Sequence, residues 1–161
     1  MRARNVLIEV GSEVLRASDA DQTEVLLHSQ NRALTRFAGS SIHQNVAEAN
    51  LTVTVRAVLG KKVGVASTNS RDSASLETVA RRAKEIALHQ RQNPDFRSLP
   101  LPRPVPSVRA YYATTAKAEP ERRAEVVRES VEEVRRHNLD AHGALSTSVD
   151  EFCVVNSLGV E

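Results

Sequence analysis

From Leu51 to Leu59 the chain alternates with period two. Leu51, Val53, Val55, Ala57 and Leu59 fall on one side, and Thr52, Thr54, Arg56 and Val58 on the other. Successive side chains of a strand point to opposite faces, so this pattern predicts a strand with one buried face. Gly60-Lys61 supplies a turn, and Val63–Ser67 reads as the returning strand. A sheet of this kind needs a layer of helix to cover its apolar face.

The flanking segments supply that layer. Val6, Leu7, Val10 and Val14 recur at helical spacing and predict a helix over about 4–18, ended by Asp19 and Asp21. A second helix is predicted over 73–91, capped by Asp72 or Ser73, with Leu76, Val79, Ala80, Ala83, Ile86 and Ala87 as its apolar stripe. Pro120 suits the first turn of a third helix, with a narrow seam of Ala124, Val127, Val131 and Val134. Between these lie further short strands. They are read over 23–28 and 33–38 with a turn near Gln30-Asn31, over 42–47 after a break at Gly39-Ser40-Ser41, and over 107–112. A closing hairpin, 143–148 with 152–155, is read around Val149-Asp150-Glu151. The expected fold class is α+β: an antiparallel or mixed sheet with helices packed on one face of it. A faint helix–hairpin repeat pairs Arg36–Ile42 with Val154–Val160. Residues 94–106 hold five of the six prolines and read as a stiff, polyproline-like strap across the surface.

Composition narrows the function classes. The 161 residues carry a net charge of +2, with 22 Lys and Arg against 20 Asp and Glu. The basic pairs sit beside acidic residues on helices, and aromatics are only 3%, so the basic stripe and stacking platform of a nucleic-acid binder are missing. No apolar run is long enough to cross a membrane as a helix. The single cysteine, Cys153, allows no internal disulfide, and the expected setting is the reducing cytoplasm.

Arg36, His43, Gln44 and Asn45 are the candidate contact residues, the last three of them adjacent. On a regular strand Gln44 would share a face with Ile42 and Val46, and His43 and Asn45 would lie on the opposite face. The three could not converge on one ion, and amides are poor zinc ligands. The cluster therefore reads as exposed strand polarity or as a surface that contacts a peptide or partner. His28, His89, His137 and His142 complete the histidines, and none begins an HExxH or HExxxH pattern. Cys153, between Phe152 and Val154, reads as an inert thiol. No nucleophile elbow, phosphate loop or calcium loop occurs. The residues contain no complete catalytic or metal-binding constellation.

The stretch "LTRFAGSSIHQNVAEANLTVTVRAVLGKKVGVASTNS" and the closing "NSLGV" resemble the N-terminal part of the TldD/PmbA family, also called modulator of DNA gyrase. The resemblance implies a single N-terminal domain over 1–161, cut from a longer bacterial or archaeal protein. Active members are zinc metallopeptidases that act on peptides or unfolded segments through an HExxxH helix and a distant cysteine. Neither lies in this chain, and Cys153 precedes the place where the histidines would come. The resemblance thus implies zinc for a full-length active protein and no cofactor within these residues. It implies peptide substrate and a homodimer or heterodimer with a family partner as the partners, and this part as a wall of the substrate path and subunit interface. Two alternatives stay open: a domain of a non-catalytic partner subunit, and a gyrase-linked regulatory binding protein.

Overall fold

A computed structural model describes the backbone of residues 2–161 and the side chains of residues 5–161. Its elements are α1 (Arg2–Ala17), β1 (Gln22–Ala38), β2 (Ser41–Leu59), β3 (Lys62–Thr68), α2 (Ser73–His89), a short α3 (Ala113–Ala116), α4 (Pro120–Arg136) and β4 (Gly143–Asn156). The four strands make one antiparallel sheet in the order β3-β2-β1-β4. The α+β class read from the sequence is the one observed.

The strands are longer and fewer than the sequence suggested. No turn forms at Gln30-Asn31, where β1 runs unbroken for 17 residues. Likewise β2 passes from 41 to 59 without a gap, and the expected hairpin around Val149-Asp150-Glu151 is the middle of β4. Turn-forming residue types do not break a strand whose backbone groups are already paired by its neighbours. The expected strand at 107–112 is absent, because no neighbouring strand is present to pair with it.

The chain forms two compact units. The first combines residues 1–29, 51–106 and 151–161. Its core is aliphatic: Leu7 and Val14 of α1, Val25 and Leu27 of β1, Val53, Val55 and Ala57 of β2, Leu76, Val79, Ala80 and Ala83 of α2, and Val155 of β4. Helix α2 packs on β3, and α1 packs beside α2. That approach depends on Gly64, because a Cβ there would overlap the Ala83 carbonyl oxygen and the Ala87 amide nitrogen. Glu24 and Arg56 pair across β1 and β2 at 2.7 Å.

The proline-rich segment closes the end of this unit. Asn93 N–H donates to the Lys61 carbonyl (2.9 Å), and Leu99 N–H donates to Gln22 Oε1 (2.8 Å). The Asn156 amide donates to the Pro100 carbonyl (2.8 Å), and Leu99 itself is buried. From 101 to 111 the chain is exposed throughout, including Val105, Val108 and Tyr111.

The second unit, 30–50 with 107–150, has a small core of Val127, Val131 and Ala141, against which Phe37, Val134 and Leu145 pack. Asn138, with φ of 55°, takes the left-handed position that ends α4.

Two outcomes test this account. Gly64→Ala should cost about 3 kcal/mol or prevent folding, since backbone rather than a flexible side chain must yield. Urea unfolding followed by circular dichroism measures it. Asp72 caps α2 by accepting from the Ser75 N–H at 2.9 Å, and hydrogen bonds from the Ser70 and Ser75 hydroxyls and the Ser75 N–H lower its pKa from 3.8 to about 2. A lowered folded-state pKa gives stability that is present above 3.8 and lost as the pH falls toward about 2. Asp72→Ala should therefore be less stable than wild type at pH 7, and the difference should close across that window.

Candidate functional site

The seven residues of β3 pair with Val53–Leu59 of β2. Ser41–Thr52, the other part of this 19-residue strand, has no strand on that side, and no backbone hydrogen bond from elsewhere among the described residues reaches it. Every residue from Ser41 to Asn50 is exposed except Val46. The result is a long free sheet edge, and it contains His43, Gln44 and Asn45. It carries neither Pro nor Lys, the residues that commonly guard such edges.

The edge is held in place at two points. At its tip, Gly39 (φ 53°) and Ser40 (φ 57°) form the left-handed pair of a type I′ hairpin turn. Ser40 is buried. Its N–H donates to the Ala141 carbonyl (3.0 Å), its Oγ accepts from the Ala141 N–H (3.1 Å), and its carbonyl accepts from Arg135 (3.1 Å). Gly39 N–H donates to His142 Nδ1 at 3.3 Å.

The second point is Arg123 in the first turn of α4, only 3% exposed. Its Nε donates to Thr35 Oγ1 (3.3 Å), its Nη2 to Asn45 Oδ1 (3.2 Å) and its Nη1 to the Ala118 carbonyl (2.8 Å). The Thr35 hydroxyl also donates to Asn45 Oδ1 at 3.2 Å. One guanidinium thereby ties α4, β1 and β2 together.

The contact of Thr35 with Asn45 joins β1 and β2 under α4, and Ile42 lies in the groove beside the same helix.

The candidate residues thus separate. Asn45 is engaged by Arg123 and Thr35, while Arg36, His43 and Gln44 are exposed with no partner among the described residues. Thr35 and Arg123 were not singled out from the sequence. The signal for Arg123 was its position four residues before Val127, which continues the apolar seam of α4 and foretells burial.

Beside the hairpin tip an open groove of about 1430 Å³ runs along α4, with Ser41, Ile42, Ala124, Val127 and Val131 in its walls. The charges along that helix are largely matched, with Arg128 near Glu132 (3.9 Å) and Arg136 beside Glu133 (2.7 Å). The histidines are dispersed: His28 stacks on Phe152, His89 ends α2, and His137 caps α4. Among the described residues no three His, Cys, Asp or Glu side chains gather as metal ligands, so the donor set here does not fit a zinc ion.

Thr35→Val keeps shape but removes the hydroxyl that accepts from buried Arg123. It should cost about 1–2 kcal/mol in chemical denaturation, whereas His43→Ala should leave the midpoint unchanged.

Comparison with known proteins bears on this arrangement. The family model described as PmbA/TldA metallopeptidase domain 1 matches residues 23–87. No curated protein sequence matches the chain. Among solved structures, the chain is similar to TldE from Thermococcus kodakarensis, with TM-score 0.80 and 19% identity over 96% of this chain and 35% of that one. It is also similar to candidate modulators of DNA gyrase from Thermotoga maritima MSB8 (TM-score 0.79, 11% identity, 95% of this chain and 36% of that one) and Bacteroides thetaiotaomicron VPI-5482 (TM-score 0.74, 16% identity, 96% and 36%). The chain spans about a third of the length of these structures. At these identities the likenesses establish the fold, and the first-domain match adds a sequence likeness over 23–87. Over residues 23–87, and in its fold, the chain is similar to the first domain of the PmbA/TldA family.

Proposed function

We propose that this domain serves a TldD/PmbA-type zinc metallopeptidase by presenting the free edge of β2 to an extended peptide, as one wall of the substrate path and subunit interface. The observation that carries this reading is the unpaired run Ser41–Thr52. A free edge offers alternating N–H and C=O groups that any extended chain can match, whatever its side chains. Such recognition suits a protein acting on varied or unfolded segments. Arg36, His43 and Gln44 would add side-chain contacts, and Asn45 would act through its hold on Arg123. Hydrolysis would be the task of residues outside this chain: two imidazoles and a thiolate holding zinc, and a carboxylate activating water. The setting proposed is the cytoplasm.

A second reading assigns the same edge to a non-catalytic partner subunit, where it would serve assembly. A gyrase-linked regulator is the third, and salt-dependent DNA binding would be its signature.

The deciding measurement is amide hydrogen exchange with unstructured peptides. Exchange at 41–52 should slow on peptide addition. A peptide N-methylated at alternate residues should bind at least about tenfold more weakly, because it has lost edge donors. His43→Ala or Gln44→Ala should change affinity less than about threefold, as expected for recognition through backbone. Unchanged exchange at 41–52, or equal binding of the N-methylated peptide, refutes the edge. Zinc-dependent cleavage by this domain alone would refute the division of labour.

A further inference from the structure

Leu7 and Val14 of α1 are buried in the core of the first unit, with Val10 at its margin. Toward the N-terminal end of the helix a cavity of about 360 Å³ opens, walled by Val6, Leu7 and Val10 of α1. Its other side is made by Leu51 of β2, Ser29 of β1 and Glu151 of β4, three neighbouring strands. Each lies two residues beyond Val53, Leu27 or Cys153, which belong to the core or pack against it. The three are therefore the next row on the helix-covered face of the sheet. Arg71, from the loop between β3 and α2, completes the lining, and all seven residues belong to the first unit.

The lining divides by chemistry. Val6, Leu7, Val10 and Leu51 are aliphatic, and Val6 is 44% exposed. Water against such a wall is favourably displaced by an apolar molecule. Arg71 and Glu151 bring one charge of each sign. Neither has an ion-pair or hydrogen-bond partner among the described residues, and they do not pair with each other. Two opposite charges that share a cavity without meeting are complementary to a ligand that carries both. Both project from ordered backbone. Glu151 lies within β4, and the loop of Arg71 is tied by Ser70, whose hydroxyl donates to the Asp72 carboxylate and whose N–H donates to Thr68 Oγ1 at 3.2 Å.

We propose that this cavity binds a small zwitterion with an aliphatic body, of the size of a dipeptide. Its carboxylate would meet Arg71, its ammonium Glu151, and its side chains Val6, Val10 and Leu51. A guanidinium matches a carboxylate through two parallel N–H groups, and a carboxylate accepts from an ammonium. The volume falls at the small end of ligand pockets, which span roughly 300–1,000 Å³. The cavity lies on the helix-covered face of the sheet, whereas the peptide proposed above pairs along the edge of β2. Leu51 alone belongs to both, so the two readings stand or fall separately.

Methyl-labelled protein titrated with leucyl-leucine and followed by NMR tests the site. The Val6, Val10 and Leu51 methyl signals should shift saturably, with half-saturation near about 1 mM, as expected for two exposed ion pairs and a small apolar contact. N-acetyl-leucyl-leucine lacks the ammonium and leucyl-leucine amide lacks the carboxylate, and each should bind about fivefold more weakly. Glycylglycine, with both charges and no aliphatic body, should give no saturable shift. Glu151→Gln should remove the preference over the N-acetyl form and keep that over the amide, and Arg71→Gln should do the reverse. Both side chains are exposed, so neither exchange threatens the fold. Absence of saturable shifts with leucyl-leucine up to about 50 mM, the range of a weak single-site contact, overturns the proposal. Equal binding of the N-acetyl or amide form also overturns it, as do preferences that both variants leave unchanged. Slowed amide exchange at 41–52 with unmoved Val6 and Val10 methyls would sustain the free edge and sink this site alone.

Discussion

A strand of 19 residues bonded on one side to a strand of seven leaves its remaining length without a partner on that side. Backbone N–H and C=O groups must be satisfied, and in an isolated sheet water does this for the edge. The inner side of β2, bonded to β1, can then be well ordered while its outer side stays available. Much of the sequence around Gly39–Asn50 serves to hold that arrangement. The type I′ turn sets the hairpin, and the Ser40 and Arg123 contacts fix the ribbon from the helix side.

The two compact units reach order by different means. The first has a continuous aliphatic core, in which the bare backbone of Gly64 lets α2 approach β3 closely. Its stability comes mainly from burial of apolar surface and from packing. The second has a small core of Val127, Val131 and Ala141 and relies in addition on directional polar contacts made by Arg123 and Ser40. Hydrogen bonds constrain geometry more tightly than apolar contact does, which suits a unit that presents an edge.

How far the sequence disclosed this depended on the range of the forces involved. The alternation in Leu51–Leu59 and the stripe from Leu76 to Ala87 identified β2 and α2, because each element's own period encodes its buried face. Gly39-Ser40 and Gly60-Lys61 marked true turns. Gln30-Asn31 did not, since its strand is held by residues far away in the chain. The polar cluster at His43–Asn45 stood out in the sequence, but the contacts that set Asn45 apart come from the distant Thr35 and Arg123.

The scarcity of aromatic residues has a spectroscopic consequence. The chain has no tryptophan, and its two tyrosines, Tyr111 and Tyr112, are 59% and 57% exposed. Their surroundings when folded already resemble water, so ultraviolet emission should barely register the loss of the aliphatic core. Arg109 lies 5.8 Å from the centre of the Tyr112 ring, close enough to make that phenol report on the local strap more than on the fold as a whole. This domain is optically quiet at its centre and signals mainly from its rim.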